Sequence, residues 1–333
     1  MEKEEDDHHH FNNSSSSSSS QIEKWCGHEF LYKFNGFWFT KTYLKTTQQV
    51  LQHFKPLPND VILASFPKTG TTWLKALLHS IIHRHSPNSS DTLLLNHPQE
   101  LIPSLETNLY VQNGNFIPTI IEDQNNKGGG TSSRILATHI PYQIIGDLLR
   151  SSSTCKIVYI TRNPKDTLIS LWHFLQKSGN VFASDPWELP SAVDQFCRGI
   201  VPFGSYYDHV LAYRDESRKK PEKVFFVTYE ELKENPNGCV ERIAEFLGCP
   251  FEGGEDQDLV GEIVKNCSFE NLSGHEVNMS NEMPPSGFPL PYSSFFRRGE
   301  VGDHVNYLGE EMVRMIDDVT REKFHGGGFV YGV

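Results

Sequence analysis

Four short apolar runs, each followed by a segment whose apolar residues recur at helical spacing, constrain this chain more than any other feature. Asp60–Phe66 (DVILASF) precedes Thr72–Arg84, and Arg134–Thr138 (RILAT) precedes Tyr142–Leu149. Lys156–Thr161 (KIVYIT) precedes Pro164–Gln176, and Lys223–Thr228 (KVFFVT) leads into Pro236–Leu247, with Gly248 placed to end that helix. Strands that are apolar throughout and separated by helices predict a parallel sheet covered on both faces. The expectation is an α/β fold, one doubly wound domain over about 28–326 with helices on both faces of a central parallel sheet. Residues 327–333 are set apart as a C-terminal tail.

Outside that frame, residues 1–21 hold an acidic patch, His8, His9, His10 and seven serines from Ser14 to Ser20. They offer almost nothing to bury and read as a disordered tail, the histidines being a solvated stretch in preference to a metal site. The segment Gln124–Ser133 reads as a surface loop. The N-terminus lacks the basic start and apolar run of a signal peptide, and no stretch approaches 18 consecutive apolar residues, so a membrane-spanning or secreted protein is not expected. Six scattered cysteines, Cys26, Cys155, Cys197, Cys239, Cys249 and Cys267, form no C-x-x-C pair. They suggest reduced thiols in a cytoplasmic protein, without a zinc cluster or disulfide framework. A formal charge of −12 disfavours nucleic acid as a partner. It leaves room for a small anion in a cleft where a few cations are focused.

Three basic motifs supply such cations. Pro67–Trp73 (PKTGTTW) lies between the first buried strand and its helix, where backbone N–H groups and the helix dipole face an anion. Gly70 permits close approach, and Thr69, Thr71 and Thr72 add hydroxyls. Lys68 precedes the only glycine, so the segment is not a Walker A loop, whose lysine follows a second glycine. Next, Arg162 follows the KIVYIT strand in YITRNPKD, at the strand end where open α/β sheets bind ligands. Ser170 lies a little over two helical turns further on, so both could reach one phosphate; the competing reading pairs Arg162 with Asp166 as a structural ion pair. The third motif, Phe295–Leu308 (FFRRGEVGDHVNYL), sets Arg297 and Arg298 beside Gly299 and Gly302 in a loop able to close over an anion with bidentate guanidinium contacts.

Together and in this order, the three motifs resemble the cytosolic sulfotransferases, which take sulfate from 3′-phosphoadenosine 5′-phosphosulfate (PAPS). GFWF at 36–39, the Cys197-Arg198-Gly199 triplet and GGGF at 326–329 are most similar to the plant branch. The resemblance implies that Lys68, Thr69, Gly70, Thr71 and Thr72 hold the 5′-phosphosulfate, with Trp73 stacking on adenine. It implies that Arg162, Ser170, Arg298 and Gly299, with Arg297 beside them, hold the 3′-phosphate, and that Tyr229, Ser268 and Phe269 surround the adenine. His139 in ATHIP matches the catalytic histidine, the base for in-line sulfuryl transfer assisted by Lys68, with no metal.

Several positions depart from the family pattern. Ala137 stands where many relatives carry a lysine, Arg298 where lysine is usual, His304 for tryptophan and Val305 for lysine. The resemblance implies a small hydroxylated acceptor, such as a flavonol, steroid or hydroxyjasmonate, and leaves its identity and the oligomeric state open. Phe34, Phe37, Trp38, Phe39, Tyr142 and Phe174 are candidates for an aromatic acceptor pocket, or for ordinary core. The alternatives are a nucleotide-binding protein that has lost turnover, which Ala137 and Val305 favour, and a nucleotide kinase, which the missing Walker A spacing opposes.

Overall fold

The computed structural model describes residues 21–26, 29–86, 89–109, 134–182, 187–253, 258–284 and 290–333. Residues 1–20 of the expected tail and the 124–133 loop lie outside them. The central sheet is parallel, in the order β5-β4-β6-β7, from β4 (Val61–Ser65), β5 (Ile135–Thr138), β6 (Lys156–Thr161) and β7 (Val224–Thr228). Alternate residues of each strand face opposite cores. Ile62, Ala64, Leu136, Ile157 and Tyr159 join one apolar cluster, while Val61, Leu63, Ala137, Val158 and Ile160 join the other. Helices Thr71–Ile82 and Pro236–Leu247 cover the second face, and Tyr142–Arg150 and Tyr206–Lys219 the first. The fold is thus the α/β, doubly wound single domain expected from the alternation.

The chain leaves β4 for β5 on one side and then crosses to β6 on the other. This reversal puts the ligand-binding crevice of an open α/β sheet outside the C-terminal ends of β4 and β6, at Ser65 and Thr161. Two of the three basic motifs begin there.

Both ends of the domain extend past the boundaries 28 and 326. β1 (Ile22–Trp25), β2 (Glu29–Phe34) and β3 (Phe37–Thr40) form an antiparallel meander. Asn35 and Gly36, both at positive φ (47° and 88°), make the tight β2–β3 turn. Its inward residues Trp25, Leu31, Phe37, Trp38 and Phe39 are buried in the main core. At the other end, the residues set apart as a tail are docked. Phe329 and Tyr331 pack on the core, and the Gly332 carbonyl accepts bonds from Lys165 Nζ (2.8 Å) and Asn163 Nδ2 (3.3 Å). Two aromatic residues in seven, Phe329 and Tyr331, give this segment surface to bury.

Candidate active site

The first motif turns sharply between β4 and its helix. Lys68 sits at φ 71°, a left-handed conformation uncommon for a side-chain-bearing residue, and Gly70 caps the helix at φ 113°. A Cβ on Gly70 would lie 2.9 Å from the Tyr229 ring and 3.0 Å from Ile160, so the glycine lets strand, loop and ring close together. Main-chain N–H groups at the start of the helix face the crevice as orphan donors. The hydroxyls behave differently. Thr69 Oγ1 donates to the carbonyls of Phe66 (2.8 Å) and Ile160 (3.1 Å), and is therefore engaged inside the turn. Thr71 Oγ1 meets Ser65 Oγ at 2.7 Å, and Thr72 Oγ1 accepts from Gln99 Nε2 at 2.9 Å.

The Lys68 ammonium lies 3.6 Å from the Phe174 ring centre and 5.7 Å from that of Phe295. Burial, with the charges of Arg297, Lys177 and Arg162 adding to it, lowers its pKa to about 7. Trp73 meets Tyr229 edge-on at 5.3 Å, and the Arg162 guanidinium covers the other aromatic neighbour of the loop, 4.6 Å from the Tyr229 centre.

The second and third motifs are locked to each other. Arg162 Nη2 donates to the Glu300 carbonyl (2.6 Å) and lies 3.5 Å from Asp166, so the ion pair weighed from the sequence does form, within the crevice itself. Asp166 also accepts from the main-chain N–H groups of Gly302 (2.7 Å) and His304 (3.0 Å), and from His304 Nδ1 (2.8 Å). Burial alone would raise the Asp166 pKa; the His304 bond, Arg162 and the main-chain donors outweigh it and hold the carboxyl below its ordinary value. His304, a departure from the family pattern, thus fastens the last loop to the helix Pro164–Phe182. Val305 is 71% exposed and supplies no charge.

Arg297 and Arg298 share one buried carboxylate, Asp303, at 2.6 and 2.9 Å. Gly299 has φ 67°, and a Cβ there would lie 2.4 Å from the Phe269 ring. Ser268 is occupied locally, capping the helix Phe269–Gly274 through the Asn271 N–H. Ser170 lies half-buried on the same helix as Asp166. The fold therefore gathers Trp73, Tyr229, Arg162, Phe269 and Gly299 around one crevice. Within it, Arg162 Nε and Trp73 Nε1 are buried donors with no hydrogen-bond partner among the described residues, which suits an anionic, acceptor-rich ligand.

His139 follows β5, across β4 from Arg162. Its Nδ1 is 2.7 Å from the Ser65 carbonyl, which can only accept, so Nδ1 carries the hydrogen and Nε2 keeps the lone pair. Glu106 holds the main chain, accepting from His139 N (2.6 Å) and Thr138 Oγ1 (2.9 Å). His209 Nε2 donates to the His139 carbonyl (3.0 Å) while its Nδ1 accepts from Tyr159 (2.9 Å). Burial lowers the His139 pKa to about 4, with Lys75 and Lys68 adding to the fall and the Ser65 bond opposing it. Burial thus favours the neutral imidazole.

Of the aromatic pocket candidates, Phe37, Trp38, Phe39 and Tyr142 are buried core residues, and Phe34 packs against them. Phe174 lies beside Lys68, and Phe39 is separated from His139 by Phe203, whose ring is 5.6 Å from the imidazole. Sequence reasoning missed Ser65, Glu106 and Gln99, which position the motif residues without belonging to a motif, and the part played by Asp303 inside the third motif. Among the described residues no group of three or more His, Cys, Asp or Glu could hold a metal ion, and no helix is long and apolar enough to cross a membrane.

The family described as Sulfotransferase domain matches residues 58–328. Cytosolic sulfotransferase 6 of Arabidopsis thaliana is 40% identical over 306 residues, covering 90% of this chain and 88% of its own length. The crystal structure of a putative steroid sulphotransferase from the same plant superposes with a TM-score of 0.70 at 34% identity, covering 94% of this chain and 93% of that one. A mouse sulfotransferase complexed with PAP shares the fold at 24% identity, with a TM-score of 0.63 over 89% of this chain and 95% of its own.

Proposed function

This chain belongs to the sulfotransferase family, and we propose that it moves a sulfuryl group from PAPS to a hydroxyl of a small molecule, with His139 as the base. The observation that carries this reading is the His139 tautomer: Nδ1 is committed to the Ser65 carbonyl, so the lone pair on Nε2 is available to an incoming hydroxyl. His139 takes the acceptor's proton as its oxygen attacks sulfur in line, and the bond from sulfur to the bridging phosphate oxygen breaks. Lys68 stabilises the charge that develops on the departing phosphate, and the N–H groups of residues 70–72 at the start of the helix hold it.

Arg162, Arg298 and Ser170 grip the 3′-phosphate, while Trp73, Tyr229 and Phe269 enclose the adenine. Arg162 Nε and Trp73 Nε1, buried without partners, support a ligand that brings acceptors of its own. A hydroxylated metabolite with a flat, apolar body suits the rings of Phe174 and Phe295 beside Lys68. The likeness to an Arabidopsis protein named for steroids supports including them in the acceptor panel. The naming of the relatives as cytosolic supports a cytosolic location.

The test is turnover of labelled PAPS by the purified protein against a panel of flavonols, steroids and hydroxylated fatty-acid derivatives, repeated with His139→Ala. That substitution should lower kcat by about 10² to 10⁴ and leave the affinity for adenosine 3′,5′-bisphosphate unchanged. Loss of that affinity with normal kcat would make His139 a binding residue and remove the assignment.

A further inference from the structure

The helix Tyr206–Lys219 sends three ring side chains to the ends of two strands. Tyr206, His209 and Tyr213 are completely buried and recur at spacings of three and four, on one face of the helix. Each meets a main-chain carbonyl just past a strand. The Tyr206 hydroxyl donates to the Arg162 carbonyl, after β6. His209 Nε2 lies 3.0 Å from the His139 carbonyl, and Tyr213 donates to the next one, that of Ile140, at 2.8 Å, both after β5. A carbonyl can only accept, so His209 carries its hydrogen on Nε2, and its Nδ1 accepts from the Tyr159 hydroxyl (2.9 Å). Ring packing fixes these donors in place: Tyr213 stacks on Tyr159 at 4.3 Å, and His209 stands edge-on to Phe66 at 5.6 Å. His139 is therefore held from three sides. The Ser65 carbonyl takes its Nδ1–H, Glu106 takes its main-chain N–H, and His209 binds its carbonyl.

We propose that His209 and Tyr213 are positioning residues for the sulfuryl transfer: by clamping the two carbonyls that follow β5, they fix where His139 Nε2 points, while Tyr206 ties the same helix to the strand end that carries Arg162. The inference rests on the reading of His139 as the base. Buried carbonyls at a strand end need donors in any fold, so the bonds alone do not separate a positioning role from a structural one. The two nitrogens of His209 do separate them. In His209→Asn the side-chain amide stands where Nδ1 stood and can still bond Tyr159. In His209→Gln the amide nitrogen reaches the place of Nε2 and can still donate to His139.

One readout needs no acceptor. In the ligand-free protein the His139 Nδ1–H resonance is assigned by its loss in His139→Gln, and its exchange with water reports how firmly the imidazole is held on Ser65. Exchange should be at least about fivefold faster in His209→Asn and within about twofold of the parent in His209→Gln. Turnover is measured with labelled PAPS and the flavonol, steroid or hydroxylated fatty acid that the parent converts fastest. His209→Asn should lower kcat by about 10- to 100-fold, with KM and the affinity for adenosine 3′,5′-bisphosphate nearly unchanged, and His209→Gln should restore kcat to within about threefold. Placed on His139→Ala, His209→Asn should cost nothing further, because it acts through the missing imidazole.

Tyr213→Phe, which keeps the stacked ring and loses only the bond to Ile140, is the second variant should the asparagine form not fold; it should lower kcat by about 3- to 10-fold at unchanged KM. Equal exchange and equal kcat in the asparagine and glutamine forms, an unchanged kcat in Tyr213→Phe, or a full further loss on His139→Ala would each overturn the proposal. A normal kcat in His139→Ala itself would instead remove the base reading, and the part of the clamp in turnover with it.

Discussion

Replacing Gly299 and Gly302 separately by alanine isolates what the last loop contributes to the nucleotide site. Both residues have positive φ, 67° and 83°, so each substitution carries the same backbone penalty, about 1 to 2 kcal/mol for a left-handed non-glycine residue. They differ in what a Cβ would meet. At Gly302 there is nothing within 4 Å; at Gly299 the new methyl would lie 2.4 Å from Phe269 Cδ2, 2.5 Å from Cγ and 3.0 Å from Cβ. Contacts at the root of a ring cannot be relieved by rotating its far end. Either Phe269 moves or the loop does, at a cost of about 1 to 3 kcal/mol for overpacking. If the loop moves, the bond from Arg162 to the Glu300 carbonyl is at risk as well.

Because the strain falls on the wall between Phe269 and Arg298, it should appear in ligand affinity. Gly299→Ala should weaken binding of adenosine 3′,5′-bisphosphate by about 5- to 100-fold, converting that cost at about 1.4 kcal/mol per decade. Gly302→Ala should leave the affinity within about threefold while lowering the melting temperature. Isothermal calorimetry and thermal melts on the two variants decide the matter. Equal dissociation constants in both would refute the reasoning, since the steric difference between the two sites would then have no bearing on the nucleotide.

Lys68 and the C-terminal segment give two more expectations. With its pKa lowered to about 7, Lys68 is protonated below that pH and increasingly neutral above it, so affinity for the donor product is full below pH 7 and declines as pH rises. At pH 8, calorimetry in buffers of different ionisation enthalpy should find uptake of close to one proton on binding, and Lys68→Arg, always charged, should abolish it; buffer-independent heats in the parent would sink the assignment. Ending the chain after Gly328 removes Phe329, Tyr331 and the Gly332 carbonyl that Lys165 and Asn163 bond, next to Arg162. Stability should fall by about 2 to 4 kcal/mol, and an unchanged melting temperature would show that the docked segment contributes nothing.

The central sheet is legible because both of its faces are buried, so its strands read as unbroken apolar runs and the intervening helices as separate periodic segments. The meander is legible in principle. Asn35-Gly36 between alternating runs is a strong hairpin signal, but Phe34 and Phe37–Phe39 also read as pocket residues, and that reading hides the turn between them. Lys75 leaves a trace too, as a lysine on the buried face of an apolar helix. Asp303 stands inside the third basic motif, whereas Glu106 leaves no trace. It acts on main-chain and hydroxyl partners 33 and 32 residues away, and only the pairing of β4 with β5 brings Ser65, Glu106 and His139 together. Motif residues such as Thr69 are legible as members of the loop but not in the use of their side chains. A hydroxyl three residues from a carbonyl can turn inward as readily as outward, and here it bonds Phe66 and Ile160.

The overall charge of −12 and an anion-binding crevice are reconciled by the placement of two carboxylates. Asp166 and Asp303 lie beneath the arginines, and both stay ionised because the bonds and charges they receive outweigh the cost of burial. Against them and the more exposed Glu300, 3.6 Å from Arg298, stand Lys68, Arg162, Arg297 and Arg298, so at a pH where Lys68 is protonated the crevice keeps a surplus of positive charge. Two opposite unit charges 4 Å apart attract by about 4 kcal/mol at an effective dielectric of 20, whereas exposed charges more than about 8 to 10 Å away are largely screened by salt. The local surplus therefore prevails over the acidic surface. The carboxylates also hold the arginines in one arrangement before any ligand arrives, which lowers the side-chain entropy lost on binding. In exchange, an incoming phosphate competes with Asp166 and Asp303 for the same guanidinium groups. Arg162 answers it in part: Nη2 is committed to the Glu300 carbonyl while Nε has no hydrogen-bond partner among the described residues, and on the proposed reading Nε is the donor a phosphate would take.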